Sequence, residues 1–412
     1  MTKETRLIRT CYLSYFSHAA INYLPPLLFA LLSRNYGLSF EQMGRLVFIN
    51  FGTRFAVDIL GMVLADRVGY RKCLVVAHAS AALGLLMLGG LPQVLALGNV
   101  YTGLMLTMVM FSVCGGLVQV LINPIVNQAA GQLDQSALIL LHSTYPWGSM
   151  LTIILTTIAL HFIPEHVWYI IPFAWMVLPL YTMYRFATIP MIEPRMSDTP
   201  GMPLRQLVRT RGYWPNILLI VFVGMTGGGV GQWSSVFIEK ALGFPKVMGD
   251  LIGPCIAALL NALVRMTYPK WVHKLPLERL LRIASFGMVL CYVGAVLLPV
   301  RGLALLALTF TGMFLAMMWP GVLQRAAQRF PGGGTALFGS LGLGGDMGAA
   351  VGPWIIGAVA GPDPEDITRL RGGLLTGALF PLAYFITLLV DQRRNKKLKE
   401  FDHVNQVHHA HD

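Results

Sequence analysis

Long apolar runs alternate with short polar joints along nearly the whole chain. The runs are seventeen to twenty-five residues long. A helix of that length, rising ~1.5 Å per residue, crosses a hydrocarbon core of ~30 Å. Twelve such runs can be placed, at roughly 10–32, 43–65, 73–92, 98–122, 136–160, 166–186, 214–238, 247–268, 279–299, 302–323, 334–358 and 372–390. The pattern predicts an all-α, multi-pass membrane protein with twelve transmembrane helices.

Composition agrees. Of 412 residues, 55% are apolar and only 12% charged, about half the charge of a soluble chain. The net charge of +12 does not point to nucleic acid, because its distribution is topological. Of 31 Lys and Arg, 22 fall in joints on the N-terminal side, seven on the other side, and Arg54 and Arg265 within runs. That asymmetry is the positive-inside pattern and puts both termini in the cytoplasm. The first run is not a cleaved leader, since His18, Asn22 and Pro25–Pro26 interrupt it. Cys11, Cys73, Cys114, Cys255 and Cys291 lie in or beside runs without CxxC spacing, so neither a disulfide framework nor a metal site is expected.

The longest polar stretch, RFATIPMIEPRMSDTPGMPLRQLVRTR, separates six runs from six. It divides the chain into an N-terminal bundle (1–186), a central cytoplasmic loop (187–213), a C-terminal bundle (214–391) and a basic, His-containing tail (392–412). YGLSFEQMG before the second run is echoed by ALGFPKVMG before the eighth, 205 residues on, as a duplicated unit requires. Such repeats place a transported solute between them near the midplane.

The second run ends in DRVGYRK, and Gly69 permits the tight reversal a short surface joint demands. Arg67, Arg71 and Lys72 suit an anionic inner leaflet. This stretch resembles the signature between the second and third helices of the major facilitator superfamily, with Asp66, Arg67, Gly69, Arg71 and Lys72 matching in type and spacing. The departure is the first glycine, which stands at Gly61, one residue early. The resemblance implies two pseudo-symmetric six-helix bundles around a central cavity lined by the first, fourth, seventh and tenth helices. It also implies that Asp66 meets the start of the eleventh helix, here Pro331–Thr335, as a gate latch. The plainer reading of the motif is an interfacial anchor. LINPIVNQ, LLHSTYPWG, GQWSSVFIEKALG and GGDMGAAVGP are similar to the fucose-permease-type branch and its bacterial relatives, which implies proton-driven symport of sugars or similar polar solutes.

Charges inside the runs carry the candidate chemistry. One near the bilayer centre costs from ~2.5 to more than ~10 kcal/mol. Arg54 and Asp58, four apart, share a helix face and can pair. Asp346 sits among Gly342, Gly344, Gly345 and Gly348, small residues that let another helix approach. By rise per residue, Asp346 lies ~20 Å deep and Arg54 ~16 Å. In the family fold the second and eleventh helices face each other, so one arginine would serve two carboxylates, leaving a surplus negative charge poised to take a proton. A static salt bridge between the halves is the competing reading.

His18 and Asn22, Gln119 and Asn123, His142 with Tyr145 and Trp147, and Gln232 with Trp233 are the candidate solute contacts. Amides offer donor and acceptor together, and ring faces suit hydroxylated solutes. Each also has a packing reading; Asn123, for instance, precedes Pro124 and can satisfy a freed backbone group. Asp250 opens the eighth run, where a capping role is expected. The tail's His403, His408, His409 and His411 are read as incidental rather than metal-binding.

The expected function is secondary active transport of a small polar solute, proton-coupled, by a monomer in a bacterial cytoplasmic (inner) membrane. Its partners are the solute, protons and lipid, with no cofactor. Proton-coupled efflux of amphipathic compounds is the alternative within transport. An enzyme is disfavoured because no HExxH, GxSxG or GxxxxGK[ST] occurs, and a receptor because no extramembrane domain does.

Overall fold

The structure is a computed structural model that describes residues 2–130, 135–191, 202–271, 275–330 and 334–409. All elements among these residues are helical. They are α1 (Lys3–Tyr36), α2 (Phe40–Val68), α3 (Tyr70–Val94), α4 (Leu97–Ala130), α5 (Gln135–Phe162), α6 (Ile170–Thr188), the short α7 (Leu204–Leu207) and α8 (Tyr213–Lys240). There follow α9 (Lys246–Asp250), a π turn (Leu251–Cys255), α10 (Ile256–Trp271), α11 (Leu277–Leu297), α12 (Arg301–Leu315), α13 (Met318–Arg329), α14 (Gly334–Ala360), α15 (Ile367–Thr376) and α16 (Leu379–His409).

Among the described residues, ten helical stretches are long and apolar enough to cross a membrane, against the twelve expected. The outward surface of the helices carries exposed Leu60, Val76, Leu106, Leu155, Leu290 and Ile386, a density of apolar side chains that water would not tolerate but lipid does. The helices outlast the apolar runs because polar ends continue them: α1 starts at Lys3 and ends at Gly37, whose φ of 68° is the left-handed cap.

Prolines set the breaks. The tenth run splits between α12 and α13, where Pro320 has no N–H to offer the carbonyl of Ala316. The eighth run splits at a π turn containing Pro254. In Gly69 a φ of 93° turns α2 into α3.

Within the N-terminal half, α3 packs on α4 and α6, and α1 on α4 and α5. Between the halves, α2 packs along α14, α5 along α10 and the π turn, and α1 along α8. Glycines set the closest approaches: a Cβ on Gly348 would stand 2.0 Å from the Val221 carbonyl oxygen, so α14 lies directly on α8.

Candidate functional site

At mid-depth, Asn22 of α1 is a hub. Its amide oxygen accepts from Arg54 Nη2 at 2.6 Å. Its amide nitrogen donates to the Tyr145 hydroxyl at 3.0 Å and to His18 Nε2 at 3.1 Å. With Nε2 accepting, the neutral His18 ring carries its proton on Nδ1. Arg54 also reaches Asn50 Oδ1 at 3.5 Å and lies 4.6 Å from the Phe51 ring centroid.

Asp58 and Asp346 form the second part. Their carboxyl groups meet across the α2–α14 contact within hydrogen-bonding reach, and Asp346 Oδ2 accepts from Gln119 Nε2 of α4 at 2.7 Å. All three charged side chains are buried, Arg54 at 2% exposure and both aspartates at 3%. A hydrogen bond between two carboxyl groups requires a proton on one of them.

The shared-arginine arrangement is thereby corrected. Among the described residues no ion pair joins Arg54 to Asp58 or Asp346. The reason lies in α4. A Cβ on Gly115 would stand 2.6 Å from the Arg54 guanidinium, and one on Gly116 2.8 Å from Asp58 Oδ1. The two glycines give each side chain its own slot, and α1 reaches the arginine with an amide. Neither this glycine pair nor Asn50 was singled out from sequence; a Gly-Gly step in an apolar run was the available signal.

The other candidates divide. Asn123 donates to the Tyr15 hydroxyl at 3.2 Å and to the Gln119 carbonyl at 3.3 Å, not to the Val120 carbonyl that Pro124 leaves without a donor. His142 stands edge-on to Tyr15, rings 5.7 Å apart, and is exposed. Trp147 is 38% exposed and joins none of the cluster's hydrogen bonds or ring contacts among the described residues. Gln232 is buried. Trp233 is fully buried between Phe29 and Phe40, its Nε1 donating to the Pro353 carbonyl at 3.0 Å. Trp233 therefore packs between the halves and does not line a cavity, contrary to expectation: it lies where α1, α2, α8 and α14 converge.

Beyond Trp233, on the side away from the N-terminus, polar bonds tie the halves. Arg34 donates to Glu239 at 2.6 Å and to Glu165 at 3.3 Å. Asp250 does not cap its helix; it accepts from Thr157 of α5 at 3.2 Å and from Ser235, and pairs with Lys246 at 3.1 Å. A buried carboxylate with three polar neighbours at hand gains more from them than from an exposed helix end. The N-terminal side differs, with His142 exposed and Asn123 and Tyr145 half-buried.

A family model described as Major Facilitator Superfamily matches residues 11–353. The chain belongs to the major facilitator superfamily. It is a multi-pass integral membrane transporter rather than an enzyme. No curated protein matches it. Among solved structures, it is similar to a D-xylose-proton symporter (TM-score 0.76, 15% identity, covering 94% of this chain and 96% of that one). It is also similar to a variant of the nucleoside transporter NupG (0.74, 14%, 95% and 100%). A third likeness is to a bacterial homologue of the human lysosomal transporter Spinster, in an inward-facing and unoccupied conformation (0.71, 14%, 95% and 98%).

The superfamily signature is partly visible. Arg71 donates to the carbonyls of Ala187 at 2.8 Å and Phe186 at 3.4 Å, closing the C-terminal end of α6. Arg67 and Lys72 are exposed. The Asp66 side chain and Pro331–Gly333 lie outside the described residues, as do His411 and the side chains of His403, His408 and His409. All five cysteines are free and buried.

Proposed function

We propose that this transporter moves a small polar solute together with protons by alternating access, with the Asp58–Asp346 pair as the proton site. The observation that carries the reading is the contact itself: one carboxyl from each half, buried, meeting where the halves join. Rocking one half against the other separates them. Held together, two carboxyls favour one shared proton; apart, each ionises more readily. Proton affinity then follows the conformation, as coupling requires.

The solute site in this reading is the adjoining set of His18, Asn22, Gln119, Asn123, His142 and Tyr145, with Gln232 opposite. Far-side bonds combined with exposed polar groups on the N-terminal side support an inward-open state, in line with the likeness to the inward-facing Spinster homologue. The moving units are taken as 1–186 and 214–391, acting within one monomer in a bacterial inner membrane.

The test is uptake into proteoliposomes under an imposed pH gradient. Accumulation that collapses with a protonophore, and is lost in Asp58→Asn or Asp346→Asn while counterflow persists, is expected. Solute expulsion driven by the same gradient would identify efflux instead.

A further inference from the structure

A second arginine within the membrane remains outside this scheme. Among the described residues Arg265 of α10 has one hydrogen bond, from Nε to the Ala316 carbonyl at 3.1 Å. That carbonyl is free because Pro320, four residues on, has no N–H for it. Anchoring Nε in this way leaves both Nη groups of the fork pointing elsewhere. Among the described residues no carboxylate forms an ion pair with Arg265; its electrostatic neighbours are Tyr23, Tyr145 and His142. The side chain is half-buried, and α10 packs against α5, so it faces the N-terminal half, toward Tyr23, Tyr145 and His142.

The charges inside the membrane are not all paired. Asp250 within the eighth run is matched by Lys246, whereas Arg54 and Arg265 have no ion pair among the described residues. A cation held within a membrane without a counter-ion is unfavourable, and such a residue marks a substrate path. A fixed guanidinium fork with two free arms matches the two oxygens of a carboxylate. Tyr145 links this fork to the hub, since its hydroxyl also accepts from Asn22.

We propose that Arg265 binds a carboxylate of the transported solute, with the Tyr23 and Tyr145 hydroxyls beside it and the solute's hydroxylated remainder directed toward Asn22. The substrate class is a polyhydroxylated monocarboxylate. This rests on the solute-transport reading above and deepens it. One guanidinium suits the single charge of a carboxylate better than the nearly doubled charge of a phosphate ester.

Thermal unfolding of the purified full chain, at matched ionic strength, tests this with matched probes: gluconate and glucuronate against sorbitol and glucose, with glucose 6-phosphate as a third arm. The acids are expected to raise the wild-type Tm with saturable dependence on concentration, and the neutral partners not to. Arg265→Gln should lose the response. Arg265→Lys, which keeps the charge without the fork, should fold and respond with affinity weakened ~10-fold or more. Equal shifts from acids and neutral partners, no shift from either acid, a shift from the phosphate alone, or an undiminished response in Arg265→Gln would each overturn the proposal. The wild-type comparison decides even where Arg265→Gln does not fold. Gradient-driven uptake of a neutral sugar, unimpaired in Arg265→Gln, would remove the carboxylate and leave proton symport standing. Acid binding that needs Arg265 without any gradient-driven uptake would do the reverse.

Discussion

Arg34 and Glu239 are 205 residues apart and bonded at 2.6 Å across the two halves. That offset equals the separation of the YGLSFEQMG and ALGFPKVMG stretches, so the two residues occupy corresponding places at the ends of α1 and α8. Corresponding positions meet only near a pseudo-two-fold axis. One position is basic and the other acidic, so the contact is attractive.

This pair should bias the far side toward closure. Arg34 is partly exposed, and pairs of that kind are worth ~0.2–1 kcal/mol. Arg34→Ala should shift the conformational balance about 1.4- to 5-fold toward opening on that side, read as faster maleimide labelling of Ser235→Cys. Arg34→Glu combined with Glu239→Arg should restore the slow rate. An unchanged rate in the single variant would remove the latch.

The two aspartates should not behave alike in stability. Asp346 is held by Gln119, whereas Asp58 Oδ1 has no partner in its slot against Gly116. Asp58→Asn should leave the thermal midpoint within about 1 kcal/mol of the wild type in stability, the range of a modest polar change. Asp346→Asn should cost more. Both should abolish pH-driven accumulation in vesicles. If both accumulate normally, the carboxyl pair is structural.

Gly115→Ala should be destabilising, because its Cβ would stand 2.6 Å from the Arg54 guanidinium. Overpacking of this kind costs ~1–3 kcal/mol. Displacing the guanidinium should also break the bond to Asn22, so thermal unfolding and solute exchange should fall together. Loss of stability with normal exchange would separate Arg54 from the solute site.

Trp233→Phe removes one indole N–H donor and leaves the Pro353 carbonyl without its partner. A loss of ~1–3 kcal/mol is expected, with solute affinity unchanged in whatever protein folds. A marked loss of affinity would return Trp233 to the cavity wall.

Much was legible in the sequence because a bilayer imposes length and polarity on each segment separately. The all-helical, multi-pass character and the reversal at Gly69 follow from local composition. Helical periodicity even placed Arg54 and Asp58 on one face. The tertiary structure alone decided which partner each buried charge takes. That choice depends on how closely neighbouring helices approach, which is set by residues such as Gly115, Gly116 and Gly348 on helices distant in sequence. Arg54 therefore met Asn22 rather than a carboxylate, Asp250 met Thr157 rather than its own helix end, and Trp233 fell into a junction of four helices. Arg265 was visible from sequence only as a charge within a run. Its free fork became apparent when Pro320, fifty-five residues on, freed the carbonyl that holds it.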